Sequence, residues 1–366
     1  MEFYTLFTRT ENAHLLKDVG MIPETLAKNY PEIRSHIVTY KNGEYPYAGT
    51  RMEHAKMVFL KKSLGKCIDG VNFIRKNADR IDVLNIYHLN LSSFLYCLAA
   101  KRYLKKGSKI YLKLDLGPAE LQKIRKKDPR AFIKRKTLKL ADIVSGETTK
   151  LVGEFCRETG EDIAFITNGI YVPENRDPDH SKKKNRIITV GKLGTPPKNT
   201  AFLIDAFAAS APEHDLELRL IGSYTDEVKE KVEDTVLRYP FLKDRIVLLG
   251  EITDKERLFS EYEEAKIFVL PSKWESFGFV LPEALSFGDY LLISDNVPLA
   301  YDLLYNEDAG RIIEGFEVLK WAREITEAAK AGTDWEKKIR DDRNFIMENY
   351  SWDATAKKLY ELIKGE

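Results

Sequence analysis

Short runs rich in β-branched and aromatic residues alternate with amphipathic stretches through the first 170 positions. The runs 2–8 (EFYTLFT), 34–40 (RSHIVTY), 81–87 (IDVLNIY), 108–116 (SKIYLKLDL), 142–147 (DIVSGE) and 162–167 (DIAFIT) read as strands. Helical patterns cover 22–30 and 91–106, and further helices fall before and between the last strands. Apolar strands joined by helices in β-α-β order predict a doubly wound parallel sheet. The polar stretch 171–185 (YVPENRDPDHSKKKN) holds two prolines, has no period, and reads as an interdomain linker. A second series follows, with strands at 186–191, 216–222, 245–250, 266–271, 290–294 and 309–313. The end, 352–366, carries an apolar stripe at Ala356, Leu359, Tyr360, Leu362 and Ile363. The predicted class is α/β, with two doubly wound, Rossmann-like domains at 1–170 and 186–345 facing across a cleft, and a closing segment at 346–366. Ligands of such sheets bind at the carboxyl ends of the strands, where glycine turns and helix starts gather.

Composition narrows the class. The hydrophobic share of 43% suits a chain that buries a full core. The net charge of +1 hides an asymmetry: residues 1–170 hold eleven more bases than acids, and the remainder holds ten more acids than bases. Three dispersed cysteines, Cys67, Cys97 and Cys156, fit a reducing cytosol better than a disulfide framework. No signal peptide is read at the N-terminus, and the longest apolar run, near 94–100, is far too short to span a membrane. Residues 101–139 hold fifteen bases against three acids. Such a run is often only a solvated helix face. The sharper reading is a surface that docks an anionic membrane. Nothing that reads DNA or RNA accompanies it, so nucleic acid is not expected as a partner.

The chemistry concentrates where the second series of strands ends. After the first strand, TVGKLGTPPKNT (189–200) sets Lys192 and Lys198 in a loop shaped by glycine and proline. A lysine ammonium is a point charge suited to phosphate. Gly222 closes the second strand, and Gly250, Glu251 and Ile252 follow the third. The stretch PSKWESFGFVLPEAL (271–285) puts Glu275 and Glu283 eight positions apart around Ser276, Phe277, Gly278 and Phe279. Free amides at a helix opening there can receive a diphosphate, and a carboxylate one turn inside can accept from a vicinal diol such as ribose. No P-loop and no dinucleotide glycine fingerprint is present. The Asp177-Pro-Asp179 triplet lies in the polar linker and is not read as a metal site, and no metal is expected. His88, at the end of an apolar strand, reads as a packed core histidine.

These residues together resemble the family 4 glycosyltransferases (glycosyl transferases group 1), which are retaining enzymes of the GT-B fold. VGKLGTPPKNT, LIGS (220–223), LGEIT (249–253) and FVLPSKWESFGFVLPEAL (268–285) carry the resemblance in order, and the family's E-x7-E pair falls on Glu275 and Glu283. TNGIYVP (167–173) resembles the segment closing the family's first domain, and YSWDATAKKLY (350–360) its final helix, which returns to that domain. HLLKDVGMIPETLAK (14–28) resembles the β1–α1 loop, with one glycine, Gly20, where many members have two. The strand end YLKLDLG carries Asp115 in place of a common histidine, and Lys192 stands where arginine is usual.

The resemblance implies a retaining transferase that moves a hexose-type sugar from a nucleotide diphosphate donor, with UDP-sugar favoured. The acceptor is a hydroxyl of a saccharide or lipid-linked saccharide, and the setting is bacterial surface glycan synthesis. Lys192, Lys198 and the amides of Ser276–Phe279 would face the diphosphate, and Glu275 the sugar. Glu283 would hold the ribose. The backbone near Gly222 and Ile252 would meet the remainder of the donor. Asp18, Gly20 and Asp115 would face the acceptor. No cofactor is expected, because the nucleotide sugar is a substrate and the reaction is metal-independent. The location is cytoplasmic, peripheral at the inner face of the cell membrane. The alternatives are a catalytically inactive GT-B subunit that binds a sugar nucleotide or supports a partner enzyme, and a sugar-nucleotide 2-epimerase on a related fold.

Overall fold

The computed structural model describes residues 1–126, 128–173 and 176–365. Lys127 of the basic stretch, and Glu174 and Asn175 of the expected linker, lie outside the described residues. The chain divides into two compact units, Met1–Gly169 with Asn349–Glu366, and Ile170–Glu348. Most of the stretch read as a linker therefore belongs to the second unit.

The first unit runs β1 (Glu2–Leu6), α1 (Asp18–Asn29), β2 (Arg34–Tyr40), β3 (Lys56–Leu60), α2 (Lys66–Lys76), β4 (Val83–Tyr87) and α3 (Leu91–Tyr103). It continues with β5 (Lys109–Lys113), α4 (Pro118–Arg125), α5 (Pro129–Leu140), β6 (Ile143–Gly146), α6 (Thr149–Thr159) and β7 (Ala164–Phe165). Its sheet is parallel throughout, in the order β3-β2-β1-β4-β5-β6-β7. The two elements that the pattern did not predict, β3 and α2, sit at the edge. β3 is never fully buried along its length, so its sequence shows no core-facing alternation. The helix expected at 22–30 starts four residues earlier, at Asp18, and carries Pro23 inside it. Gly20 lies in its first turn rather than in an open loop. A Cβ at Gly20 would meet the Leu15 backbone at 2.2 Å, so the glycine lets α1 pack on the preceding 3-10 turn Asn12–Leu16.

The second unit runs β8 (Arg186–Val190), α7 (Thr200–Ser210), β9 (Glu217–Ile221), α8 (Asp226–Arg238), β10 (Ile246–Gly250), α9 (Lys255–Glu264), β11 (Ile267–Leu270) and α10 (Val280–Leu285). It continues with β12 (Tyr290–Ser294), α11 (Ala300–Leu303), β13 (Gly310–Ile313), α12 (Val318–Lys330) and α13 (Trp335–Tyr350). Its parallel order is β10-β9-β8-β11-β12-β13. The core gathers around Trp321, Phe207 and the inner strands. The last helix, α14 (Trp352–Lys364), packs in the first unit, where Trp352, Ala356, Leu359 and Ile363 join Phe3, Ile22, Leu26, Val83 and Tyr111 in one cluster. Its N-terminus is capped by Ser351, which accepts from the Ala354 amide, and Thr355 Oγ1 donates to the Thr167 carbonyl at 3.1 Å.

One buried ion pair fastens the entry of the second unit. Lys183 Nζ lies 2.7 Å from Asp289 Oδ1, with the two side chains 1% and 0% exposed. The same ammonium donates to the Tyr262 and Ala265 carbonyls at the end of α9. Burial pushes the Lys183 ammonium below its ordinary pKa and Asp289 up to about 7. Removing one partner leaves the other charge buried alone. Asp289→Ala is expected to lower the stability of this unit by roughly 3–5 kcal/mol in urea unfolding.

Candidate active site

The second sheet changes winding direction between β8 and β11. The loops after these two strands part at that point and leave a crevice at the strand ends. Loop 191–199 follows β8 and loop 271–279 follows β11. The structure joins them across the crevice. Lys198 Nζ lies 2.6 Å from Glu275 Oε1, and the Lys273 amide donates to the Pro197 carbonyl at 2.7 Å. Ser272 Oγ donates to the same Glu275 oxygen at 2.7 Å, while Oε2 has no partner among the described residues. The two side chains are 18% and 14% exposed, so the pair is largely desolvated yet open on one side.

Glycines shape this crevice. Gly222, with φ +128°, sits directly over the Gly191 carbonyl, and a Cβ there would fall 1.8 Å from that oxygen. Its amide donates to Gly250 at 2.8 Å, and the Gly191 amide to Ile221 at 3.0 Å. A Cβ at Gly191 would press on the Lys198 Cε at 2.8 Å, so the absence of a side chain at 191 leaves room for the lysine. Lys192 is exposed and makes no ion pair among the described residues. In the other loop, Gly278 takes φ +91°, and the helix starts at Val280 rather than at Phe277. The left-handed glycine delays the first helical turn. The amides of Ser276, Phe277, Gly278 and Phe279 donate to nothing among the described residues. Phe277 is buried, and its ring packs edge-on against Phe279 at 4.9 Å between centroids.

Glu283 lies in α10, apart from the Lys198–Glu275 pair. Its Oε2 accepts from the Tyr262 hydroxyl at 3.1 Å, and its Oε1 lies 3.3 Å from Lys255 Nζ. Burial, and the carboxylate beside it, push the Tyr262 hydroxyl well above its ordinary pKa, which keeps it a donor. Lys255 opens α9 three residues after half-buried Ile252.

In the first unit the winding reverses between β1 and β4. Asp18 follows β1, His88 follows β4, and Lys113 and Asp115 stand at the end of β5. Lys113 is fully buried, 2.8 Å from Glu147 Oε1 and 3.6 Å from Asp18 Oδ2. Asn168 Nδ2 donates to Glu147 at 2.7 Å. Three carboxylates, Asp18, Asp115 and Glu147, thus act on one lysine. Burial opposes the charge on Lys113, but Glu147 and Asp18 outweigh it and raise its pKa. Burial lifts Glu147 to about 7 against the pull of Lys113, with Asp115 and Asp18 adding to the rise. Asp115 opens onto a cavity, yet protein crowds its carboxyl. That crowding raises its pKa, opposed by His88 and reinforced by Asp18. His88 lines the same cavity and holds φ +63°, an uncommon conformation outside glycine. Its amide donates to the Lys113 carbonyl at 3.1 Å, and its own carbonyl accepts from Ser93 Oγ at 2.7 Å.

Sequence reasoning passed over Ser272, Tyr262, Lys255, Lys113 and Glu147, and gave His88 a packing role. The usable signal was charge at the end of an apolar strand. Lys113 closes KIYLK, and Glu147 directly follows IVSG.

The comparisons with known proteins bear on the fold and on the second unit. Residues 173–341 match the family model of glycosyl transferases group 1. The chain is 26% identical over 183 residues to an uncharacterised glycosyltransferase of Methanocaldococcus jannaschii, a match covering 49% of this chain and 44% of that protein. It is 23% identical over 202 residues to a probable sucrose-phosphate synthase of Thermosipho melanesiensis, covering 55% of this chain and 46% of that one. The matched stretches therefore span under half of either relative. Among solved structures, sucrose-phosphate synthase from Thermosynechococcus elongatus superposes with a TM-score of 0.74 at 18% identity, covering 100% of this chain and 98% of that one. HepE of Anabaena, solved in complex with UDP, superposes with a TM-score of 0.73 at 16% identity, covering 100% of both chains.

The glycine contact gives a direct test of how the crevice is built. Gly222→Ala forces a Cβ onto a backbone carbonyl in a left-handed conformation, and neither loop can yield without moving its strand. A loss of roughly 1–3 kcal/mol or more is expected in chemical unfolding. Gly250→Ala, where a Cβ meets nothing within 4 Å, is expected to lose only the conformational part, about 1–2 kcal/mol.

Proposed function

From a second unit that is a glycosyl transferases group 1 domain, in a chain of GT-B fold, we propose that the protein is a retaining glycosyltransferase using a nucleotide diphosphate sugar. The observation that carries this reading is the Lys198–Glu275 pair at the reversal of the second sheet, beside four amides without a partner among the described residues. A departing diphosphate gains negative charge as the glycosidic bond breaks. Lys198 and the amides of Ser276–Phe279 supply positive charge held in place before the reaction, with Lys192 on the open side of the loop. Lys198 exchanges its bond to Glu275 for one to the phosphate, which frees the carboxylate for sugar hydroxyls. Glu275 Oε2 already stands open for that task. Glu283, held by Tyr262 and Lys255, takes the ribose diol, and the turn at Ile252 meets the base.

UDP-sugars are the favoured donors, in line with HepE, whose solved complexes hold UDP and UDP-glucose. The transferred group is a hexose, the acceptor hydroxyl belongs to a saccharide or lipid-linked saccharide, and the proposed setting is surface glycan assembly. Attack comes from the face the diphosphate leaves, so the anomeric configuration is retained and the departing phosphate takes the proton. No metal is needed, since the lysines and amides carry the charge. Asp18 and Asp115 meet the acceptor. The open oxygen of Glu275 and its intact lysine partner favour an active enzyme over an inactive binding subunit.

Lys198→Ala is expected to slow transfer from a UDP-sugar by about 10²–10³-fold, as lost transition-state stabilisation. Turnover within a few-fold of wild type would remove the lysine from the leaving group. Glu283→Ala is expected to weaken donor binding, read by titration, with a smaller effect on the chemical step, because a ribose contact is present before and during reaction.

A further inference from the structure

The first unit contains a cavity of about 700 Å³ at the carboxyl ends of β4 and β5, under the starts of α3, α4 and α5. That volume fits a small-molecule ligand. Its lining has two characters. Leu89, Leu114, Leu116 and Ile133 give apolar walls, with Asp115 and His88 beside the point where the sheet reverses. The other side is cationic, made by Lys123, Arg130 and Lys134 around Glu120.

The charges there are unbalanced. Lys123 and Lys134 both lie 2.5 Å from the one Glu120 carboxylate. Lys134 is only 13% exposed, so this is a held ammonium and not a waving surface lysine. Two lysines on one glutamate leave a positive charge in surplus. Arg130, in the first turn of α5, adds a second and has no acid partner among the described residues. A phosphate monoester carries about −1.5 to −2 charge near neutral pH, which matches that surplus. Arg130 brings the planar fork that binds phosphate through two bonds. Part of the remaining basic stretch is paired elsewhere: Lys101 with Asp142, Lys105 with Asp82, Arg125 and Arg135 with the one Glu158, and Lys139 with Glu161. What sets the charge at this cavity apart is that its three cations line one concave wall.

We infer that this cavity binds a phosphorylated hydroxyl compound, its phosphoryl group on Arg130 and the Lys123–Glu120–Lys134 triad and its hydroxyls toward Asp115 and His88. Resting on the transferase reading above, this compound is the acceptor. The phosphoryl group can belong to a soluble sugar phosphate or to a phosphorylated lipid carrier. The chemistry of recognition is the same in both.

The test measures binding without donor. Glucose 6-phosphate, fructose 6-phosphate and the free hexoses are titrated into the full chain by calorimetry. In parallel, flotation compares neutral vesicles carrying a polyprenyl phosphate with vesicles of equal charge made with phosphatidylserine. The expected result is that one phosphorylated probe binds at least about tenfold tighter than its control, and that Arg130→Ala removes the advantage, the loss expected of a charge-assisted bond. Preference for a hexose phosphate supports a soluble acceptor, and preference for the polyprenyl phosphate a lipid-borne one. The inference is overturned if neither phosphorylated probe beats its control, or if Arg130→Ala binds as wild type does. Arg130 is exposed, so the substitution leaves the core untouched, and Lys123→Ala serves as a second variant with the same expected loss. UDP binding is measured on the same preparations. Its absence in the wild type would strike the transferase reading, while a failure confined to the phosphorylated probes strikes only the cavity.

Discussion

The Lys198–Glu275 ion pair depends on the order of strands more than on either side chain. β8 lies between β9 and β11, so the chain leaves β8 for one flank of the sheet and comes back later to the other. The loops following β8 and β11 must separate there, and any side chains at their tips face the same gap. A backbone bond from Lys273 to Pro197 and the stacking of Gly222 on the Gly191 carbonyl hold the gap at a width the two side chains can bridge. The glycines are therefore part of the electrostatics. They set how far the ammonium stands from the carboxylate, and they keep side chains out of the space beside it.

The first unit repeats the same topology with the opposite balance of charge. Its reversal lies between β1 and β4, and the groups collected near it are Asp18, Asp115 and Glu147 around the single buried Lys113. Burial raises Asp115 and Glu147 against the pull of that one ammonium, and the neighbouring carboxylates add to the rise. The first unit gathers carboxyls around a buried lysine, whereas the second offers cations and amides at its crevice. One architecture thus supplies two chemistries, because the sheet dictates only where residues meet and the strand ends dictate what meets there.

Much of this was legible in the sequence, for reasons that differ by residue. The central strands announced themselves as apolar runs, since both faces of a doubly wound sheet are covered. Glu275, Glu283 and Lys198 stood out as charges at glycine-marked strand ends. β3 was missed because Met57–Leu60 is a short apolar run without alternation, and α2 because a helix opening at a left-handed Gly65 lacks a side-chain cap. Lys113 and Tyr262 were missed because burial is a property of the packed molecule. A lysine ending KIYLK reads as solvated until Glu147 from the neighbouring strand is seen beside it. His88 reads as core, and only its φ of +63° and its place on the cavity wall set it apart.

Two lysine–carboxylate pairs of the second unit separate structural from chemical roles. Lys183–Asp289 and Lys198–Glu275 have nearly the same length, 2.7 and 2.6 Å. The first is sealed, with side chains 1% and 0% exposed, and its ammonium also serves the two carbonyls that end α9. Nothing can enter between those partners without unfolding the helix end. The second is 18% and 14% exposed, with a carboxylate oxygen and amides beside it that have no partner among the described residues. A sealed charge pair holds a fold together at a desolvation cost that its contacts offset, here even with Asp289 Oδ2 lacking a partner among the described residues. A pair that solvent can reach can exchange partners, and that access, rather than an unpartnered oxygen, is what a site needs in order to receive charge from outside.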